Sequence, residues 1–274
     1  MKDKVMLLEM PWHEARRRAQ QNAVAVIPMG SIEEHGPHLP VGTDVIYTEG
    51  IVKRAAEIAA KQVPIVVLPT FAYNVVWWAK PFFSIGPKPD TLQKLLREII
   101  HALVYQGFRK IVLFQGHAGN TAPWTALLQL ADEGIDAHLF DVNLGAVVQK
   151  TIRALGEEAP PRSGHGGWWE RSVVEFVRPD CVYPDLIPTE ENREKVKPSN
   201  YKCVDNGDVK LVGFATRTPH GYTGCPELGS RELGEKFLEL AAKFLAEIFI
   251  EIGKKEPAYP TPREQLEQRV PIDS

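Results

Sequence analysis

Residues 31–44, SIEEHGPHLPVGTD, bring together two glutamates, two histidines and an aspartate among glycines and prolines. Carboxylates and imidazoles crowded on one loop repel or titrate one another unless a cation lies among them, and divalent metals bind this mixture of oxygen and nitrogen. Glu33 and His35 are two residues apart, so in an extended segment their side chains point the same way. Asp44 follows the HGPHLP turn, at the start of the next predicted helix. The pattern predicts a metal site, and a solvated surface loop is the alternative.

Four of the eight histidines lie in sharp turns rather than on apolar faces. His35 and His38 follow the first predicted strand, His117 lies in QGHAGN after the third, and His165 lies in SGHGGWWE at a helix start. Strand-end loops converge at one edge of a parallel sheet, so we expect His117 in the same crevice as residues 31–44. Ligands from separate loops leave coordination positions open, as in catalytic sites, and Asp44 would suit a bridge between two metals about 3.5–4 Å apart. We expect structural roles for the other histidines, which are His13, His101, His138 and His220.

The elements that position these residues are short β-branched runs alternating with longer helix-period segments. This order predicts an α/β protein with a mostly parallel sheet and helices on its faces. The predicted strands cover residues 23–29, 64–70, 110–115 and 136–142. The predicted helices cover residues 45–61, 91–107 with Asp90 as the cap, about 121–133, 168–177 and 230–253. Residues 179–228 are predicted to be mostly loop, and residues 254–274 a peripheral tail of a single domain, 1–274.

Composition narrows the class of protein. Hydrophobic residues make up 44% and charged residues 24%, as in ordinary soluble globular proteins. The net charge is −3 without a long Lys/Arg run, so neither nucleic acid nor an anionic membrane is an expected partner. The three cysteines, Cys181, Cys203 and Cys225, fit neither a disulfide framework nor a CxxC zinc pattern. No apolar run reaches about 18 residues. We therefore expect a cytoplasmic protein.

Three motifs together resemble the creatininase (creatinine amidohydrolase) family. GSIEEHGPHLPVGTD resembles its GSxEQHGxHLPxxTD signature, QGHAGN its NGHGGN segment, and HGGWWERS its HAGxxETS segment. A fourth stretch, HGYTGCPELGSRELGEK, is similar to the Gly-x-x-Gly-x-Pro run ahead of the family's last helix. The resemblance spans residues 23 to about 240 in the right order.

The resemblance implies a three-layer α/β/α fold and two divalent metal ions per subunit, Zn, Mn or Fe, that hold a bridging hydroxide. It also implies hydrolysis of an amide in a cyclic or formylated small molecule, and a homo-oligomer, a hexamer or smaller. Glu33, His35, Asp44 and His117 match the family's metal ligands. Gly119 stands where creatininase has a further glutamate ligand, and Glu170 is our candidate to replace it.

The remaining site predictions concern catalysis and the substrate. His165, and with it Glu170, is predicted to be catalytic, with His165 passing a proton to the departing nitrogen; a purely structural His165 is the alternative. Substrate contacts are predicted for Ser31, His38, Trp168 and Trp169, with one of the two tryptophans facing the core. The aromatic run containing Trp77, Trp78, Phe82 and Phe83 is more typical of packing or a subunit interface.

Two other functions stay open at this stage. The same metals could open a lactone or a cyclic diketone derived from a sugar or inositol. A non-catalytic metal-binding scaffold is also possible, because the carboxylate at the Gly119 position is missing. A dinucleotide-binding protein is disfavoured, because no GxGxxG follows a predicted strand.

Overall fold

The computed structural model describes residues 4–76, 79, 82–118, 121–161, 163–187, 221–256 and 260–267. Within them, four parallel strands form one sheet in the order β2-β1-β3-β4. The strands are β1 (Val24–Met29), β2 (Ile65–Val67), β3 (Lys110–Gln115) and β4 (His138–Asn143). The chain passes from β1 to β2 on one side, and β3 then joins β1 on the other side. This reversal opens a crevice at the carboxyl ends of β1 and β3, where open α/β sheets bind ligands.

The two central strands are buried along their whole length, as their apolar sequences predict. Along β1, Val24 and Val26 point into one hydrophobic core, whereas Ala25, Ile27 and Met29 point into a second. Because side chains alternate along a strand, the sheet separates two cores. The predicted three-layer α/β/α architecture is confirmed.

Helices cover both faces of the sheet. The core that contains Val24 and Val26 is covered by α2 (Thr43–Ala59), α5 (Leu144–Leu155), α6 (Trp168–Val177) and α7 (Arg231–Lys254). The other core is covered by α3 (Pro89–Tyr105) and α4 (Ala122–Asp132), with the end of α1 (Trp12–Gln20) beside them. A short α8 (Pro262–Glu267) contacts α4. Within the described part of the chain, every helix is too short or too polar to traverse a lipid bilayer.

Most predicted elements differ from the structure by one to three residues at an end, and two of the differences have a physical reason. Pro89 takes the first position of α3 and Lys88 precedes it, so Asp90 lies inside the first turn and does not cap the helix. β2 ends at Val67 rather than at residue 70. The regular register is lost there, because Leu68 N donates to Val26 O at 2.8 Å but the next bond to β1, to Pro28 O, comes from Phe71 N.

Besides α1, the helices α5 and α8 lie outside the predicted helix ranges. α5 follows β4 without an intervening loop, and the Asn143 side chain caps it by accepting from Gly145 N. α8 lies in the predicted peripheral tail. Several residues named in the sequence analysis lie outside the described residues, and these are Trp77, Trp78, Gly119, Cys203 and His220.

Candidate metal centre

The predicted ligands meet in the crevice between β1 and β3, and different segments deliver them. Glu33 and His35 lie in the loop after β1, where the Glu33 N–H donates to Val41 O at 2.9 Å. Asp44 lies in the first turn of α2, and His117 follows β3. All four side chains are buried, with exposed fractions between 1% and 4%. A solvated surface loop is therefore excluded, and buried groups of this kind need partners.

The Asp44 carboxylate lies at the centre of the cluster. Its Oδ2 lies 2.7 Å from His117 Nδ1 and accepts a hydrogen bond from Ser31 Oγ at 2.6 Å. Its Oδ1 lies 3.0 Å from His35 Nε2 and accepts a hydrogen bond from the Tyr47 hydroxyl at 2.6 Å. Each oxygen of the carboxylate therefore faces one imidazole and one hydroxyl.

Two further carboxylates lie on either side of Asp44. Glu33 Oε2 is 3.2 Å from His117 Nδ1, and Glu170 Oε2 is 3.9 Å from His35 Nε2. We name Glu33, Asp44 and His117 the His117 half-site, and His35, Asp44 and Glu170 the His35 half-site. In each half-site the three potential ligand atoms lie within 4.8 Å of one another. Asp44 belongs to both, as a carboxylate that bridges two cations must.

The contacts of the His35 ring suit a metal ligand. Its Nδ1 lies 3.0 Å from Glu33 O, an acceptor that holds the ring hydrogen on Nδ1. Its Nε2 is buried without a hydrogen-bond partner in the described residues, and it faces Asp44 and Glu170. Histidine ligands usually donate the other ring N–H to a carbonyl or carboxylate in this way. The residues present therefore fit a divalent cation.

Electrostatics in the cluster favour positive charge. Burial by itself lowers the pKa of His35, but the charge of Asp44, helped by Glu170 and Glu33, raises it to about 10. Burial also opposes protonation of His117, yet its hydrogen bonds with Asp44 and Glu33 raise its pKa to about 10. Burial raises the pKa of the Glu170 carboxyl, against the attraction of the nearby imidazoles. In the absence of a metal, protonated histidines therefore supply the charge that the carboxylates require.

His165 lies over the His35 half-site. Its ring stacks on that of His35, with the ring centroids 4.0 Å apart. Its Nε2 lies 2.6 Å from Glu34 O and 3.5 Å from Glu34 Oε1, and these contacts orient the ring. Its side chain is 17% exposed and lines the neighbouring cavity. With Glu33 and His35 it forms a third group that could hold a metal, so its position is compatible with proton transfer and with ligation.

Gly166 connects α6 to the loop after β1. Its φ of 61° lies in the region that favours glycine, and a Cβ at this position would lie 2.7 Å from His35 O. Its N–H donates to Glu170 Oε2 at 2.5 Å, and its carbonyl accepts from His38 Nε2 at 2.9 Å. Burial lowers the pKa of His38 to about 4, so this ring is neutral at neutral pH. His38 thus fixes the Gly166 peptide, and the N–H of that peptide in turn orients the Glu170 carboxylate.

A cavity of about 330 Å³ opens onto the half-sites. Trp169 lines it and stacks on Phe237 with the rings 5.2 Å apart, whereas Trp168 is fully buried with its edge toward the same ring. Ser31 and His38 are also fully buried and lie behind the described wall of the cavity. Besides ligands and His165, the wall includes Tyr47, Gln115, Asn143, Leu144, Val148 and Gln149.

A larger groove of about 770 Å³ runs along β4 between α5 and α7. Its wall is largely apolar and includes Phe140, Val147, Phe244 and Ile248. None of the candidate ligands lines the described part of this groove. Size alone does not identify a catalytic site, so the smaller cavity with its clustered titratable groups is the candidate.

Tyr47 and Gln149 are site residues that the sequence analysis misses. Tyr47 follows Asp44 by three residues, which places both side chains on one face of α2, and this spacing was an available signal. Gln149 is missed together with α5. Gly119 lies outside the described residues, so the ligand role of Glu170 in place of the family's further glutamate stays a prediction; Glu170 Oε2 lies 3.9 Å from His35 Nε2.

The fold and the cluster together define the class of protein. It is an α/β protein with a candidate centre for two metals at the switch point of a parallel sheet. A family model described as creatininase, creatinine amidohydrolase, matches residues 8–249. The chain belongs to the creatininase family, as the sequence motifs predict.

Two curated relatives match nearly the whole chain. Creatinine amidohydrolase of Pseudomonas putida is 25% identical over 271 residues, covering 90% of this chain and 96% of that protein. The 3-dehydro-scyllo-inosose hydrolase of Thermotoga maritima is 25% identical over 284 residues, covering 95% of this chain and 88% of that protein. Both are named as hydrolases, and the chain is a hydrolase of the creatininase family.

Solved structures of creatininases share the fold. A creatininase with Mn aligns with a TM-score of 0.74 and 25% identity, over 92% of this chain and 100% of that chain. A creatininase variant of Zn-Zn type aligns with the same TM-score, identity and coverage.

Proposed function

We propose that the protein is a metal-dependent hydrolase that cleaves the amide of a small cyclic or formylated substrate. The observation that carries the proposal is the Asp44 carboxylate, whose two oxygens face two imidazoles at 2.7 and 3.0 Å. A carboxylate shared in this way between two groups of nitrogen and oxygen ligands is suited to two divalent ions.

The chain would hold one ion in each half-site. Glu33 and His117 would bind the first ion, His35 and Glu170 the second, and Asp44 both. Divalent ions bound there would lower the pKa of water and polarise a carbonyl group as Lewis acids. The solved relatives named with Mn or Zn support these metals for the site, and Fe fits the same ligand types.

His165 is proposed to pass a proton to the nitrogen that leaves the substrate. Its contacts with Glu34 hold the ring over the His35 half-site, and its partial exposure gives it access to the cavity. General acid–base catalysis of this kind typically contributes about 10²- to 10⁴-fold to the rate. Glu170, which faces His35, is proposed to act as a metal ligand close to His165.

The cavity supports a small-molecule substrate. Its volume of about 330 Å³ is at the lower end of the range typical of small-molecule sites. Leu144, Val148 and Trp169 give it apolar walls, and Gln149 offers an amide. A second candidate reaction is the opening of a lactone or cyclic diketone ring, which the similarity to an inosose hydrolase over 95% of this chain favours.

Product analysis separates these reactions. We would strip the metal from the purified chain, restore Zn, Mn or Fe, and assay cyclic amides, formamides, lactones and cyclic ketones in parallel. Cleavage of a carbon–nitrogen bond supports the proposal, whereas exclusive cleavage of a lactone or carbon–carbon bond supports the second candidate. Full activity in the metal-free chain would contradict both.

The role of His165 is tested by His165→Ala. We expect normal metal content and a loss of turnover of about 10²- to 10⁴-fold. His101→Ala is the matched control, because His101 lies on α3 with its side chain 53% exposed. Loss of bound metal in His165→Ala would instead identify His165 as a ligand.

We also propose that the chain forms a homo-oligomer. Phe83 is 65% exposed and Ile85 47% exposed, as expected for residues that a partner subunit covers. Sedimentation analysis of the wild type and of Phe83→Ser measures the mass in solution. A monomeric wild type contradicts the proposal.

A further inference from the structure

Two hydroxyl groups hold the Asp44 carboxylate from different sides. Ser31 Oγ donates to Oδ2 at 2.6 Å, and the Tyr47 hydroxyl lies 2.6 Å from Oδ1. Oδ2 is the oxygen that faces His117, and Oδ1 is the oxygen that faces His35. Each hydroxyl is therefore paired with one half-site.

Tyr47 makes additional contacts that fix its position. Its hydroxyl also lies 2.6 Å from the carbonyl oxygen of Gly116, the residue before His117. Its ring is 2% exposed and lies 5.0 Å from the ring of Trp169. The phenol thus ties α2 to the loop after β3 and to α6 in one buried place. Such a rigid side chain can hold an oxygen of Asp44 in one orientation.

Ser31 makes the corresponding contacts on the other side. Its side chain is fully buried. Its Oγ lies 3.2 Å from His117 Nδ1 and 2.6 Å from Asp44 Oδ2. It therefore lies against both the carboxylate and the imidazole of the His117 half-site. This position favours a role at the ligands rather than a contact with substrate.

We propose that Tyr47 and Ser31 are positioning residues that each govern one of the two metal positions. Tyr47 orients Asp44 Oδ1 for the His35 half-site, and Ser31 orients Oδ2 for the His117 half-site. This inference rests on the proposed function. Removal of a hydrogen-bond partner behind a metal ligand typically costs about 10- to 100-fold in metal affinity. Each hydroxyl contacts a different oxygen of Asp44. Removal of either hydroxyl should therefore weaken the binding of only one of the two ions.

Zinc titration of the metal-free chain against a competing chromophoric chelator tests the selectivity. In the wild type we expect two zinc ions per chain. In Tyr47→Phe we expect one of them to bind about 10- to 100-fold more weakly and the other to keep its affinity. Tyr47→Phe retains the ring that packs on Trp169, so the variant should fold, and circular dichroism checks this. Tyr105→Phe, at a side chain 88% exposed, is the matched control.

Double variants assign the weakened ion to a half-site. Added to His35→Ala, which removes the ion of the His35 half-site, Tyr47→Phe should cause no further change in the remaining ion. Added to His117→Ala, it should weaken the remaining ion about 10- to 100-fold. Ser31→Ala should give the opposite pattern in the same two backgrounds. The absorption spectrum of the cobalt-substituted chain gives a second readout, since only the weakened position should change.

The outcomes distinguish this inference from the function on which it rests. A wild type that binds no zinc contradicts the proposed function. A wild type with two zinc ions contradicts this inference alone if Tyr47→Phe weakens both ions equally, weakens neither, or keeps its effect in the His35→Ala background.

Discussion

The two ends of β3 both bury charge, and they accommodate it differently. At the amino end, Lys110 is 2% exposed and its Nζ donates to Gly253 O at 3.1 Å and Lys255 O at 3.2 Å. These carbonyls close α7, where backbone acceptors lack intrahelical donors and the helix dipole is negative. At the carboxyl end, three carboxylates surround two imidazoles, and neither lysine nor arginine lines the described wall of the cavity.

This difference separates a structural charge from a functional one. The ammonium group of Lys110 binds acceptors that the fold itself supplies, so nothing has to arrive from solution. The carboxylates around Asp44 instead depend on protonated histidines or on bound cations. A buried cluster whose charge is balanced only by exchangeable species is suited to bind a metal.

Among changes at the carboxyl end of β3, Asp44→Asn is expected to have the largest effect on metal binding and activity. Losing the shared charge should release both ions and lower turnover by about a thousandfold or more, since metal catalysis is worth several kcal/mol. Metal content and kcat measure the effect. Asp90→Asn, at an exposed position of α3, is the control. Retention of two ions in Asp44→Asn would show that the carboxylate does not bridge them.

The metal-free protein should lose stability as the pH rises. The folded-state pKa of His35 and of His117 is about 10, above the ordinary 6.5, so their protons stabilise the fold fully below pH 6.5. This contribution is lost as the pH rises through 10. Urea unfolding of chelator-treated protein between these two values should show the decline.

Zinc should remove that dependence, because bound histidines are already deprotonated. The same titration on zinc-loaded protein is therefore the control. Equal slopes with and without zinc would mean that the two histidines do not bind the metal. Calorimetry in two buffers of different ionisation enthalpy should also detect protons released when zinc binds at neutral pH.

Lys110→Met tests the amino end, where we expect an effect on stability and none on the metals. Losing hydrogen bonds from a charged donor to the end of α7 should lower the free energy of unfolding by about 1.5–3 kcal/mol. Denaturant unfolding measures this loss. Lys243→Met is the control, because Lys243 is exposed on α7. A change in zinc affinity would contradict the separation of the two ends.

Glu34→Gln should have the smallest effect. Glu34 is 7% exposed, and its Oε1 lies 3.5 Å from His165 Nε2 without a hydrogen-bond partner in the described residues. The backbone contact to His165 persists in the variant, so we expect kcat to fall by about tenfold or less, the loss of one hydrogen-bond contact, and zinc affinity to remain. A fall as large as that of His165→Ala would mean that the carboxylate itself is essential.

Much of the candidate site was predictable because its signals are local. The two-residue spacing of Glu33 and His35 and the position of His117 after a strand are read directly from the chain. The strands are predictable because β1 and β3 are continuous apolar runs. Burial of both faces in a parallel sheet requires such runs.

Other features depend on contacts that no local pattern encodes. Asp90 resembles a helix cap, but Pro89 already occupies the first helical position. α5 begins directly at the end of β4, so no loop separates the two elements, although the Asn143 side chain caps the helix. The contact of Ser31 with Asp44 arises only when the loop after β1 packs against α2. The roles of Trp77, Trp78 and Gly119 stay predictions, since these residues lie outside the described ones.

The peptide of Gly166 has a mechanical consequence. Its N–H holds Glu170, its carbonyl is held by His38, and its Cα faces the backbone of His35 too closely for a side chain. The spacing between α6 and the loop after β1 is thereby fixed by the Gly166 backbone together with the side chains of Glu170 and His38. A substrate that displaces either segment would therefore have to displace the other segment as well.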